Sequence, residues 1–173
     1  MKISLEGRRA FITDAEWRQT MAVNLDSHFF CARRVSPVFR AQRRGVLINL
    51  ISTAGQFGYP TRTPYVASKW ALQGLTETLS MELGPDNIRV NGICPGSVTS
   101  DRMDRVIAAH AELEGITEAE VRRMYTVGTS MQCFVDPDEI ADLICYLASD
   151  HGCHISGQII AVDGNTETIW PRA

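Results

Sequence analysis

Three side chains in one short stretch have the types and spacing for proton transfer. They are Ser52, Tyr65 and Lys69, inside residues 52–69, STAGQFGYPTRTPYVASK. Tyr65 and Lys69 are four apart, so on a helix they share a face. A phenol with an ordinary pKa of about 10 is a poor base at neutral pH. An ammonium held beside it favours the phenolate. Ser52 lies upstream across a glycine-containing loop. A strand before it and a helix after it would bring its hydroxyl beside the phenol. There it could orient a substrate oxygen while the tyrosine moves the proton. A Tyr-x-x-x-Lys pair alone also occurs on solvated helices, so the flanking elements decide its meaning.

Those elements are legible. Residues 45–51, GVLINLI, form a continuous apolar run, which suits a strand covered on both faces. Residues 65–83 read as a packed helix that stops at Gly84-Pro85. Residues 87–93, NIRVNGI, read as the next strand, left through Cys94-Pro95-Gly96-Ser97. Loops at the carboxyl ends of parallel strands are where α/β sheets bind ligands. Residues 101–130 are charged and carry a capping box at Thr117 to Glu120. Asp136-Pro137-Asp138-Glu139 starts a helix that runs to about Ala148. Residues 158–162 are the last expected strand.

Upstream, residues 8–13, RRAFIT, read as a short strand. Thr13 and Glu16 then make a capping box. A helix is expected over 14–42, with Trp17, Met21, Leu25, Phe29 and Ala32 as its buried stripe. Pro37 would kink or divide it. Asn24 lies on this helix among apolar neighbours, where a buried amide needs a hydrogen-bond partner. Strands alternating with helices argue a parallel α/β domain of three layers.

Bulk properties narrow the partners. The chain has 173 residues, enough for one domain with a real core, and 45% of them are hydrophobic. The net charge of −3 argues against a nucleic-acid partner. Arg33, Arg34, Arg40, Arg43 and Arg44 cluster near the expected helix end and read as a solvated terminus. No apolar run approaches the roughly 20 residues of a membrane span. The expected location is the cytoplasm. Five cysteines, at 31, 94, 133, 145 and 153, show no C-x-x-C pair and read as buried free thiols. His151, Cys153 and His154 are too tightly spaced for a usual zinc site, so no metal is expected.

The ordered motifs resemble those of the short-chain dehydrogenase/reductase family. They are Asn24 in MAVNL, Ser52 in NLISTAG, Tyr65 and Lys69 in YVASK, NIRVNGICPGSV at 87–98, and SGQIIAVDG at 156–164. The resemblance covers about residues 14–170. It implies an NAD(P)-dependent alcohol dehydrogenase or ketoreductase acting on a small secondary alcohol or ketone. It further implies a catalytic set of Asn24, Ser52, Tyr65 and Lys69. Asn24 would order a water for the proton relay. Tyr65 and Lys69 would also contact the nicotinamide ribose, and Pro95, Gly96, Val98 and Ser100 would contact the carboxamide region. Ser100 replaces the more usual threonine, and Ile51 replaces a frequent serine. Residues 101–130 would be the substrate lid. Pairing of copies through helices 14–42 and 65–83 is implied as well.

The chain departs from the family pattern at its start. The family's T-G-x-x-x-G-x-G turn and its later N-N-A-G turn are both missing. LEGRRAFIT resembles the family's first strand, and DAEWRQTMAVN follows it directly, like the start of the fifth helix. The expected fold is therefore a truncated Rossmann-like domain spanning 1–173. It would have a remnant strand in 1–13 and a catalytic half in 14–173, with a mostly parallel sheet of about four strands. An internal deletion between Thr13 and Asp14, on the order of 70–100 residues at about 30 per βαβ unit, would explain this. Glycine-rich turns hold the pyrophosphate of NAD or NADP, so their loss weakens the expectation of cofactor binding. The residue that distinguishes NAD from NADP is missing with them. The alternative reading is a non-catalytic module that acts by self-association or by pairing with a full-length copy.

Overall fold

A computed structural model describes residues 13–167 of the chain. The order is α1 (Asp14–Met21), a π turn (Ala22–Asp26), α2 (Ser27–Gln42), β1 (Gly45–Leu50), α3 (Thr63–Leu83) and β2 (Ile88–Pro95). Then come α4 (Asp101–Glu114), α5 (Glu118–Thr126), α6 (Pro137–Ala148) and β3 (Ile159–Val162). Among the described residues the sheet has three parallel strands in the order β1-β2-β3. About four strands were expected. The expected strand at 8–13 lies outside the described residues apart from Thr13, which caps α1 instead.

The layers follow from the pleat of β2. Ile88, Val90 and Cys94 point to one side, where Leu72, Leu79 and Leu83 of α3 and Phe39 of α2 pack on them. Ile93 points to the other side and meets Ile140 and Leu147 of α6. Successive strand residues face opposite ways, so one strand builds both cores. Arg89 and Asn91 share the Ile93 side and bond to carbonyls of the chain around α6, at Leu147 and Ile155.

Helix starts follow the sequence closely. The capping boxes at Thr13, Thr117 and Asp136 all form. Residues 14–42 form one continuous rod, and Pro37 lies inside α2 without ending it. A π turn at 22–26 replaces the regular helix around Asn24.

The expected apolar stripe is corrected. Ala32 is buried and Leu25 packs on the core, but Trp17 is 40% and Phe29 45% exposed. At 3.6 residues per turn, each four-residue step drifts by about 40°, so Trp17 and Phe29 lie about 120° apart on the rod. One flat sheet cannot cover both.

Two other expectations change. Cys94 is buried and Cys133 half-buried, whereas Cys31, Cys145 and Cys153 are exposed. The arginine cluster is more than a solvated end. Arg40 and Arg43 both pair with Asp86, and Arg44 pairs with Asp150. These exposed pairs tie the end of α2 to the chain before β2 and after α6, each worth about 1 kcal/mol or less. No helix among the described residues is long and apolar enough to cross a membrane.

Leu72 is fully buried between α3 and the sheet, while Trp70, two residues earlier, is half exposed. Leu72→Ala is expected to lower unfolding free energy by about 2–5 kcal/mol. Trp70→Ala should lower it by less than about 1 kcal/mol. Urea denaturation of the two variants beside the parent chain measures both.

Candidate active site

β1 delivers Ser52. Ile51 follows the strand, and its N–H donates to the Ile93 carbonyl at 2.7 Å. A tight turn at Thr53–Gly55 follows. Ser52 Oγ accepts the Ala54 N–H at 3.1 Å, which fixes the hydroxyl at the mouth of the turn. A hydroxyl has one proton and two lone pairs. With one lone pair used, the proton remains to donate to a substrate oxygen.

Gly55 holds that turn against α3. A Cβ there would lie 3.0 Å from the Lys69 carbonyl and 2.7 Å from Ile51 Cγ2. Only glycine permits this approach, and Gln73 Nε2 of α3 donates to the Gly55 carbonyl to lock it. The serine turn and the Tyr65 helix are thus one unit.

α3 carries Tyr65, Ser68 and Lys69. Tyr65 is half-buried and Lys69 is 8% exposed. Lys69 Nζ lies 5.7 Å from the Tyr65 ring centroid and donates to the Leu50 carbonyl at 2.9 Å. Burial pulls the Lys69 pKa below the usual lysine range, and Cys94 acts weakly the other way. One of the three ammonium protons is taken by Leu50, which leaves two for other partners.

Asn24 arrives from the opposite helix. Its Nδ2 donates to Ser68 Oγ at 3.1 Å, and Ser68 Oγ donates to the Tyr65 carbonyl at 2.7 Å. Asn24 is therefore tied into the Tyr65 helix through a fully buried serine. The π turn shifts the local ladder, with Ser27 N–H bonding to Ala22 and Ser27 Oγ donating to the Val23 carbonyl at 2.6 Å. Such turns are frequent at functional sites. Ser68 and His28 were missed by sequence reasoning. Ser68 could have been found, because it lies at i+3 from Tyr65 inside the same motif. His28 had no such signal.

The loop after β2 brings the remaining expected residues to the same end of the sheet. Gly96 donates to the Val162 carbonyl at 2.9 Å, and a Cβ there would meet Asp163 Cα at 2.8 Å. Val98 forms a parallel bridge with Val135. Its neighbours Ser97 and Thr99 make the two hydrogen bonds of that bridge, so the Val98 N–H and C=O stay out of it. Ser100 Oγ accepts the Met103 N–H at 3.1 Å as the cap of α4. In this state that lone pair is used for the helix rather than for a ligand.

α4 and α5 follow that loop as a small unit with its own core of Ile107, Ala111 and Val121, and Ser97 Oγ donates to the Tyr125 carbonyl at 3.4 Å. Met103 and Tyr125 pack into that core, while Met124 and Met131 are exposed.

The sequence matches the enoyl-(acyl carrier protein) reductase family over residues 1–165. This chain belongs to the short-chain dehydrogenase/reductase family. It is 33% identical over 150 residues to a D-beta-hydroxybutyrate dehydrogenase of Rhizobium meliloti, covering 86% of this chain and 58% of that protein. It is 35% identical over 159 residues to a trans-4-hydroxycyclohexanecarboxylate dehydrogenase of Sinomonas cyclohexanicum, covering 90% and 55%. Among solved structures, a 3-oxoacyl-[acyl-carrier protein] reductase with bound NAD from Brucella melitensis is 30% identical. It superposes with a TM-score of 0.75 and covers 90% of this chain and 53% of that one. The chain thus spans a little over half the length of these relatives. The fold is the α/β Rossmann-like fold of the family.

The described residues fit one half of a dinucleotide. The free N–H and C=O of Val98 match a planar carboxamide, and the two unclaimed Lys69 protons match sugar hydroxyls. For the adenosine and pyrophosphate half, no glycine-rich turn stands before a helix among the described residues. Among the described residues β1, which would lie nearest it, is the edge strand on that side.

His28, beside this network, has its pKa lowered by burial and by the Lys69 charge, with the Asn24 carbonyl acting the opposite way. A depressed folded-state pKa means the unfolded chain binds the proton more tightly, so stability is lost as pH falls below about 6.5. The urea midpoint should drop between pH 7.5 and pH 5.5. His28→Gln should remove part of that drop.

Proposed function

We propose that this chain carries the catalytic half of an oxidoreductase that interconverts a secondary alcohol and a ketone with NAD or NADP. The observation that carries the reading is the buried Lys69 ammonium beside the Tyr65 ring, on a helix clamped to the Ser52 turn. Burying a cation without a carboxylate partner costs stability. A purely structural site would favour an apolar residue there.

In this reading the Ser52 hydroxyl donates to the substrate oxygen and fixes its direction. The Tyr65 phenol gives the proton to that oxygen on reduction and takes it on oxidation. Lys69 holds the ribose and supplies the positive field, and Asn24 fixes the helix pair that positions Tyr65. The nicotinamide, when bound, supplies or accepts the hydride. Pro95, Gly96, Val98 and Ser100 line the carboxamide side. The relatives' names, a hydroxybutyrate dehydrogenase and a hydroxycyclohexanecarboxylate dehydrogenase, support the alcohol/ketone chemistry.

We infer an internal deletion between Thr13 and Asp14. In its favour, α1 starts directly at the Thr13 cap, where the family pattern would have a glycine-rich turn. The deletion would remove the pyrophosphate site. The second reading, an association module, is favoured by an apolar surface on the same helices. Trp17, Val23, Phe29, Phe30 and Val38 on the 14–42 rod and Trp70 and Met81 on α3 are all exposed. Such a surface fits a homo-oligomer or a full-length copy as partner. The location we propose is the cytoplasm.

Calorimetry with NAD⁺, NADH, NADP⁺ and NADPH, beside turnover on a panel of secondary alcohols, tests the first reading. Weak binding and turnover that falls at least about 100-fold in Tyr65→Phe are expected. No binding at millimolar cofactor would end the enzyme reading for this chain. For the apolar surface, sedimentation should show an oligomer in the parent chain and a monomer in Phe30→Glu.

A further inference from the structure

We propose that Asp163 is a positioning residue that holds the loop after β2 and the α4–α5 unit to the end of the sheet. The clamp goes beyond the reductase reading. It takes from that reading only the role of the loop, which would meet the carboxamide side of a cofactor.

Asp163 follows β3 and is only 8% exposed. Among the described residues no lysine or arginine pairs with it. A buried carboxylate without a cation is costly unless N–H groups satisfy it. Its Oδ1 accepts the Asn165 N–H at 2.9 Å, and its Oδ2 accepts the Thr166 N–H at 3.2 Å. Both oxygens thus close one turn. Gly164 and Asn165 in that turn lie in the left-handed region, with φ of 68° and 59°. Asparagine tolerates that conformation better than most residues, and the two bonds to the carboxylate hold it there.

The chain on either side of α4–α5 rests on this turn. After α5, the Ser130 N–H donates to the Asn165 carbonyl at 3.0 Å, and the Met131 N–H donates to the Gly164 carbonyl at 3.1 Å. Asn165 Nδ2 donates to Ser130 Oγ at 2.9 Å, and the Glu167 N–H donates to the Gly128 carbonyl at 2.8 Å. Before α4, the Gly96 N–H donates to the Val162 carbonyl, and a Cβ at Gly96 would lie 2.9 Å from Asp163 Cβ. The two connections also meet each other. The Val135 N–H donates to the Ser97 carbonyl at 2.8 Å, and the Val135 carbonyl accepts the Thr99 N–H at 2.9 Å. Among the described residues the α4–α5 core takes no side chain from the sheet. These connections therefore set where the unit sits, and one carboxylate anchors both.

Amide hydrogen exchange of the whole chain, read by peptide mass spectrometry, tests this. In Asp163→Ala the protected amides of 96–100 and 127–131 should exchange at least about tenfold faster, while those of β2 and α3 keep the parent's rates. Asp163→Asn keeps one acceptor oxygen and should show a smaller change of the same pattern. Leu72→Ala is the control for a merely structural loss, and it should speed exchange in β2 and α3 as well. Where the parent binds NADH, the Kd should rise at least about fivefold in Asp163→Ala and less than about twofold in Leu72→Ala. Unchanged exchange at 127–131 in both Asp163 variants, or a speeding shared equally with β2 and α3, overturns the proposal. So does NADH affinity as strong in Asp163→Ala as in the parent. A parent that binds no NADH, with the local loosening present in Asp163→Ala, ends the reductase reading and leaves the clamp. NADH binding without that loosening does the reverse.

Discussion

The ammonium of Lys69 has to be buried to stand beside Tyr65, and the architecture around it answers that demand. Its hydrogen bond to the Leu50 carbonyl takes one of three protons at the last residue of β1, just before the Ser52 turn. Burial still lowers its pKa. A cation in that position does little for stability, and a Met of similar length would pack as well. What it supplies is a fixed positive charge 5.7 Å from the Tyr65 ring, which the proposed proton transfer would use.

The rest of the site is arranged so that this pair cannot drift. Gly55 lets the Ser52 turn press on the α3 backbone at Lys69. Asn24 reaches across from the neighbouring rod and holds Ser68, which holds the Tyr65 carbonyl. Three elements far apart in sequence thus meet within one turn of α3. Positioning of this kind is where much of an enzyme's rate comes from, because reacting groups held in place need no further ordering. The residues proposed to meet the nicotinamide side of a cofactor stand on this same frame.

The same openness reshapes the exterior. The 14–42 rod is longer than the short strand behind it, so much of its apolar surface faces outward. Arg33 lies over the Phe29 and Phe30 rings there, at 5.9 and 5.2 Å, which softens that surface without covering it. At the other end of the molecule, α4 and α5 carry their own small core.

By itself the sequence determined the local features. The capping boxes at Thr13, Thr117 and Asp136, the helix containing Tyr65 and Lys69, and the alternating order of strands and helices were all legible. Each depends on neighbours within a few residues, which is the range over which propensity and hydrogen-bond geometry act. The expected strand at 8–13 falls outside the described residues apart from Thr13. Only the tertiary structure decided which side of the 14–42 rod is buried. A repeat of Trp17, Met21, Leu25 and Phe29 drifts around the helix, and contact with a flat sheet selects a narrower face. Tertiary packing also assigned Asn24 to Ser68 and exposed Cys31, Cys145 and Cys153. These contacts join segments distant in sequence, and no local spacing encodes which of them will meet.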